Sequence, residues 1–183
     1  MSKEQQQRVP VWDPLLRFLH WALVLGVLAA WLTREGYGRT HEWIGYGVLL
    51  VVVLRVLWGF LGSDQARFRH FVKGPRSTWR YALQSLRGRA PRQLGHNPLG
   101  AWSTLLLLTL VFAVCAVGWL YTTDRYWGIE WVERLHAGLT DVLLAFIAVH
   151  LLGVLWACIK QRENLVAAMV HGRKRQLSKT DQQ

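Results

Sequence analysis

The sequence predicts an all-α protein built into a membrane: a four-helix transmembrane bundle with an amphipathic helix on its cytoplasmic surface. Three observations predict it. First, 52% of the 183 residues are hydrophobic and mean hydropathy is positive at +0.15. Charged residues make up 18%, below the roughly 25% of an ordinary soluble domain. Second, four apolar stretches are long enough to cross a bilayer, which takes about 20 helical residues at a rise of about 1.5 Å each. Third, the 22 Lys and Arg that outnumber 11 Asp and Glu gather on alternate connections between those stretches. A basic soluble protein of this size would suggest a nucleic-acid partner. The apolar runs and the sidedness of the charge exclude that class and point to membrane lipid instead.

The first span runs over residues 15–32, with only Arg17 near its start and His20 inside it. A cleaved signal peptide is the competing reading. The apolar run is too long for one, and no small-residue cleavage site precedes Arg34. The second span, 44–61, holds a single charge at Arg55, and the third, 99–121, holds none. The fourth, 135–159, contains His136, Asp141 and His150. One domain, 1–183, accommodates all four, with a long connection over 62–98. In that connection Pro75 can open a short helix whose Trp79, Leu83 and Leu86 form an i, i+4, i+7 stripe. Arg76, Arg80 and Arg87 fill its other faces, so it reads as a helix lying on anionic lipid. A second short helix is expected over 164–170, ahead of a basic tail. Trp12, Trp31, Trp43, Trp58, Trp102, Trp119, Trp127 and Trp131 fall near span ends and read as interfacial belts.

Seventeen of the 22 basic residues precede or open the first span, lie in 62–98, or follow the fourth span. Arg34, Arg39, Arg125 and Arg134 lie on the opposite side. The positive-inside rule therefore puts both termini and the long connection in the cytoplasm. Cys115 and Cys158 both lie inside spans and outside any C-x-x-C-H motif, which excludes covalent c-type haem and leaves packing as their role.

Four of seven histidines lie in or at the ends of spans, where ionisable side chains are costly and rare. His136 and His150 are fourteen residues apart, which returns to within about 40° of one helix face and separates them by roughly 21 Å. One small metal cluster cannot use both, whereas two centres stacked across the bilayer can. The first span runs outward, so His20 lies toward the cytoplasm. The second runs inward, so His41 lies toward the outside. Depth pairs His20 with His150 and His41 with His136. Facing imidazoles in a helical bundle are a usual way to hold b-type haem by both axial positions. A zinc site would want four ligands, and only Asp141 lies near His136. Gly26, Gly45, Gly47, Gly138 and Gly153 leave room for haem or for close helix packing. Arg55, fourteen residues after His41, points toward the inner level. There it either pairs with a haem propionate or snorkels to the cytoplasmic surface. Arg17 is a weaker propionate candidate.

These residues also carry a resemblance. Val11-Trp12-Asp13-Pro14-Leu15-Leu16-Arg17-Phe18-Leu19-His20-Trp21, His41-Glu42-Trp43-Ile44-Gly45-Tyr46 and Arg55-Val56-Leu57-Trp58-Gly59-Phe60 look like the first two helices of prokaryotic cytochrome b561 and of nickel–iron hydrogenase cytochrome b subunits. Arg67-Phe68, Gly74-Pro75-Arg76, Gly95-His96-Asn97-Pro98, Glu133-Arg134-Leu135-His136 and His150 resemble the same family, as does the tail from Glu163 to Arg175. The resemblance covers almost the whole chain.

It implies a dihaem cytochrome of the bacterial inner membrane, with two haem b held by His20, His150, His41 and His136. It further implies an electron-transfer subunit of a quinone-linked respiratory oxidoreductase. Such a subunit exchanges electrons between ubiquinone or menaquinone and a periplasmic c-type cytochrome or hydrogenase-like protein. The alternative it allows is a stand-alone superoxide:ubiquinone oxidoreductase. Superoxide would be drawn by a basic funnel. The outer loops instead balance Arg34, Arg39, Arg125 and Arg134 against Glu35, Asp124, Glu130 and Glu133, which favours a protein partner. No catalytic residue is assigned. His96, beside Asn97, is the candidate for hydrogen bonding a quinone carbonyl.

Overall fold

The computed structural model describes residues 8–35, 38–88, 90, 93, 95 and 97–176. Four long helices dominate it: α1 (Pro14–Leu32), α2 (Gly38–Leu61), α5 (Pro98–Tyr121) and α6 (Glu130–Gln161). All four are long and apolar enough to cross a membrane. Between α2 and α5 lie α3 (Phe68–Phe71) and α4 (Pro75–Leu86). After α6 come α7 (Leu165–His171) and the strand β2 (Arg173–Arg175), which pairs with β1 (Arg8–Pro10).

Two spans are longer than hydropathy suggests. The second begins at Gly38 and not at 44, and the fourth runs from Glu130 to Gln161 and not over 135–159. Arg39, Thr40 and Glu42 at one end, and Glu130, Glu133 and Arg134 at the other, are polar but helical. A helix does not stop where the hydrocarbon does, because headgroups and water satisfy these side chains beyond it. Proline and a capping residue begin α1 and α5. Asp13 accepts from the Leu16 amide at 2.8 Å, and Asn97 accepts from the Gly100 amide at 2.7 Å.

The long helices pack in chain order, α1 on α2, α2 on α5 and α5 on α6, while α1 and α6 are not packed along each other. Val48, Val52, Val111 and Leu143 form the buried centre where the spans converge. Most other large apolar side chains face outward, such as Leu25, Leu61, Val149 and Leu152. In water that would be untenable. In lipid it is expected, because acyl chains are as apolar as leucine and burial gives helices no reason to associate.

At the end of the bundle that holds both chain ends a second cluster gathers Val11, Trp12, Leu16 and Ala66, with Trp58 and Met169 against it. Trp12 and Trp58 are therefore not belt residues. Trp12 is buried and Trp58 half-buried against the terminal segments, whereas Trp43, Trp119, Trp127 and Trp131 do stand exposed. Two devices tie the chain ends here. The Gly172 carbonyl accepts from the amides of Val11 and Trp12 at 2.8 and 3.1 Å. The antiparallel pair then runs Arg8 opposite Arg175 through Pro10 opposite Arg173. Gly172 has φ +80°, and a Cβ there would meet the Trp12 carbonyl at 2.8 Å, so both backbone and contact demand glycine.

The amphipathic helix is present as α4. Its Trp79 is exposed, while Tyr81, on another face, is buried toward the bundle. Trp102 of α5 donates to the Lys73 carbonyl and the Thr78 hydroxyl, both at 3.1 Å, and so fixes where α4 starts. The second short helix, expected over 164–170, lies one residue later in α7, capped by Asn164.

Candidate functional site

The four span histidines come from three helices: His20 from α1, His41 from α2, and His136 and His150 from α6. The helices bring them together as two levels, and each level draws on all four spans.

At the outer level, His41 and His136 face each other with ring centres 6.2 Å apart and planes at 86°. His41 Nδ1 is 2.8 Å from the Ala30 carbonyl of α1, and His136 Nδ1 is 3.1 Å from the Val114 carbonyl of α5. A carbonyl can only accept, so each Nδ1 carries the proton and each Nε2 keeps its lone pair. That is how proteins usually orient a metal-binding imidazole. Gly118 on α5 makes the room. A Cβ there would sit 3.0 Å from His136 Cε1 and 3.3 Å from its Nδ1, so a larger residue would push the ring aside.

At the inner level, His20 and His150 lie within electrostatic reach of each other, with Arg55 close to His20. His150 Nδ1 is 3.2 Å from the Ser103 hydroxyl of α5. Arg55 does not snorkel. It is only 5% exposed, its guanidinium lies 5.7 Å from the Phe68 ring centre, and its Nη1 has no hydrogen-bond partner. A buried guanidinium donor without an acceptor is costly, and a carboxylate from a bound group such as a haem propionate would satisfy it. The donor set fits the group that the sequence implies. Among the described residues no three His, Cys, Asp or Glu side chains gather to form a metal cage, so the pairs stand as pairs.

The remaining sequence candidates fare differently. Arg17 turns toward the C-terminal segment, where it donates to the Val170 carbonyl, and its Nε is buried without a partner. Asn97 is occupied as the cap of α5, while His96 lies outside the described residues. Of the five glycines, Gly26 abuts Val48 and serves close packing of α1 on α2. Gly45, Gly47, Gly138 and Gly153 have open space where a side chain would be.

Sequence reasoning passed over Asp13. Its Oδ1 accepts from the Leu16 amide and from Trp58 Nε1 at 3.1 Å, and its Oδ2 accepts from the Ser63 hydroxyl at 2.6 Å. The Asp-Pro pair does announce a helix start. Nothing local announces partners 45 and 50 residues away. Also unforeseen was the outer network of Tyr46, which donates to Glu42 at 2.8 Å and meets the Thr122 hydroxyl at 3.1 Å.

Comparison with known proteins gives a consistent result. A family model described as prokaryotic cytochrome b561 matches residues 11–172. A probable Ni/Fe-hydrogenase B-type cytochrome subunit of Azotobacter vinelandii is 26% identical over 92% of this chain and 89% of its own length. Its namesake from Rhizobium leguminosarum bv. viciae is 25% identical over 93% and 90%. No solved structure gives a significant match.

Proposed function

The chain belongs to the prokaryotic cytochrome b561 family of membrane b-type cytochromes, and on that premise we propose that it carries electrons across the bacterial inner membrane through two haem b. His41 with His136 would hold the outer group, and His20 with His150 the inner one. The observation that carries this reading is the outer pair: two imidazoles lie with ring centres 6.2 Å apart, each with Nδ1 on a backbone carbonyl, the tautomer that keeps the Nε2 lone pair for a metal.

Haem b would supply one-electron exchange, and His41 with His136 and His20 with His150 are the residues that would hold it. The chain's own residues do the rest. The Ala30 and Val114 carbonyls and the Ser103 hydroxyl orient the rings. Arg55 offers donors to a propionate and places a positive charge at the inner level. The apolar centre of the bundle keeps water from the space between the levels. About 21 Å of helix separates His136 from His150, so the two pairs would hold their groups near opposite sides of the bilayer.

Both termini are assigned to the cytoplasm because the basic residues lie on that side. Quinone exchange is assigned to the inner level. The partner outside would be a c-type cytochrome or a hydrogenase-like protein, in keeping with the names of the relatives. Outer-surface charge favours a protein over superoxide: Arg34 pairs with Glu35 and Arg134 with Glu130, both at 3.2 Å, which leaves little positive field to draw a small anion.

The test is a reduced-minus-oxidised spectrum and a pyridine haemochrome count on purified protein, followed by mixing the oxidised form with a quinol. Two low-spin b haems per chain that the quinol reduces are expected. A haem-free protein, or one with a high-spin haem open to ligands, would overturn the assignment.

A further inference from the structure

The inner level contains a charge arrangement that the outer level lacks. Arg55 is a buried cation one helical turn before Trp58 on α2. Asp13 holds that same end of α2 at two points, through Trp58 Nε1 at 3.1 Å and the Ser63 hydroxyl at 2.6 Å. These anchors lie three and eight residues after Arg55. Asp13 also precedes His20 by seven residues, which puts the two within about 20° on one face of α1 and about 10 Å apart along it. The carboxylate is within electrostatic reach of the guanidinium without hydrogen bonding to it. Of the other cations at this end, Arg67 lies at 3.6 Å from Asp64 and donates to the Gly62 carbonyl at 2.6 Å, Arg17 donates to the Val170 carbonyl, and the buried Lys174 stands 5.4 Å over the Trp12 ring and donates to the Gly95 carbonyl at 3.5 Å. The carboxylate at the foot of α1 is thus the anion placed to act on Arg55.

We propose that Asp13 is the positioning residue and counter-charge of Arg55, and that the two together set the reduction potential of the centre held at His20 and His150. The inference rests on the haem assignment above. A reduced centre carries one electron more than an oxidised one. A nearby cation therefore stabilises it and a nearby anion destabilises it. Arg55 raises the potential of the inner centre, and Asp13 lowers it while keeping α2 at the right height. The outer centre, roughly 20 Å farther along the bundle, feels both charges about threefold less.

The test is a potentiometric titration of the full-length holoprotein with D13N, R55Q and the double variant, following each haem separately. Asn keeps the shape of Asp13 and one acceptor oxygen for the helix cap and Trp58, removes the charge, and turns the Ser63 hydroxyl from donor to acceptor of the new amide N–H. D13N should raise the inner potential and R55Q should lower it. At a separation of about 10 Å each change should alter the reduced-to-oxidised ratio at fixed potential by about tenfold. The double variant should return near the wild-type value, and the outer potential should move much less than the inner one in each single variant. A merely structural role would move the inner potential the same way in both variants, or move both centres equally, and either result overturns the proposal. D13S, a neutral cap, provides a second charge-free variant. If neither neutral variant binds the inner haem, Asp13 is structural and the proposal fails. Failure of the underlying assignment looks different: H20A would then retain the haem whose potential D13N moves.

Discussion

The two histidine levels are built by different means. The outer pair is oriented by main chain: the carbonyls of Ala30 and Val114 fix both rings, and Gly118 provides the space. The inner pair is oriented and charged by side chains, with Ser103 on His150, Arg55 beside His20, and Asp13 beneath them. Main-chain positioning cannot be deleted by a point mutation and carries no net charge. Side-chain positioning can be altered residue by residue and brings ionic groups into low dielectric, where their effect on a bound redox group is large. The difference suggests a rigid outer station and a tunable inner one.

Mutations can break this contrast outright. The largest effect is expected for a cross-level combination: H20A/H41A removes one ligand from each pair and should leave a haem-free protein by pyridine haemochrome. Next is G118L. The side chain would run into the His136 ring, where even a Cβ comes within 3.0 Å. Overpacking of this kind costs about 1–3 kcal/mol, and the difference spectrum should show loss of the outer haem with the inner one intact.

Smaller effects sharpen the contrast. S103A removes the partner of His150 Nδ1, and loss of such a supporting group lowers affinity by roughly 10–100-fold. A haem-titration curve should show this for the inner centre alone. The outer centre has no equivalent side chain to delete. W58F removes one of the three bonds to Asp13, worth about 1 kcal/mol. A modest fall in melting temperature, with both haems retained, is the expected result.

Most of this fold could be read from the sequence because lipid makes span length and hydropathy nearly sufficient. The histidine levels followed from helical geometry, since fourteen residues on one apolar helix leave few alternatives for His136 and His150. Extents were less legible. Arg39 and Glu42 lower the hydropathy at the start of α2 without ending the helix, so His41 lies inside the span and not in a loop. The end where the two chain termini meet was the least legible part. The pairing of Arg8–Pro10 with Arg173–Arg175 joins opposite ends of the chain, and Asp13 finds Trp58 and Ser63 across a helix pair. Such contacts depend on tertiary position and leave no period or local pattern. Trp12 and Trp58 looked like interfacial residues because span ends usually are interfacial, and only the enclosing segments show otherwise.

The central claim is that the histidines form two independent pairs at two depths. The most direct measurement is the haem content and difference spectrum of the double variant H41A/H136A. Two outer ligands are lost and two inner ones remain, so one low-spin b haem per chain is predicted, with a spectrum matching the inner component of the wild type. A variant that keeps both haems, or loses both, would contradict the pairing.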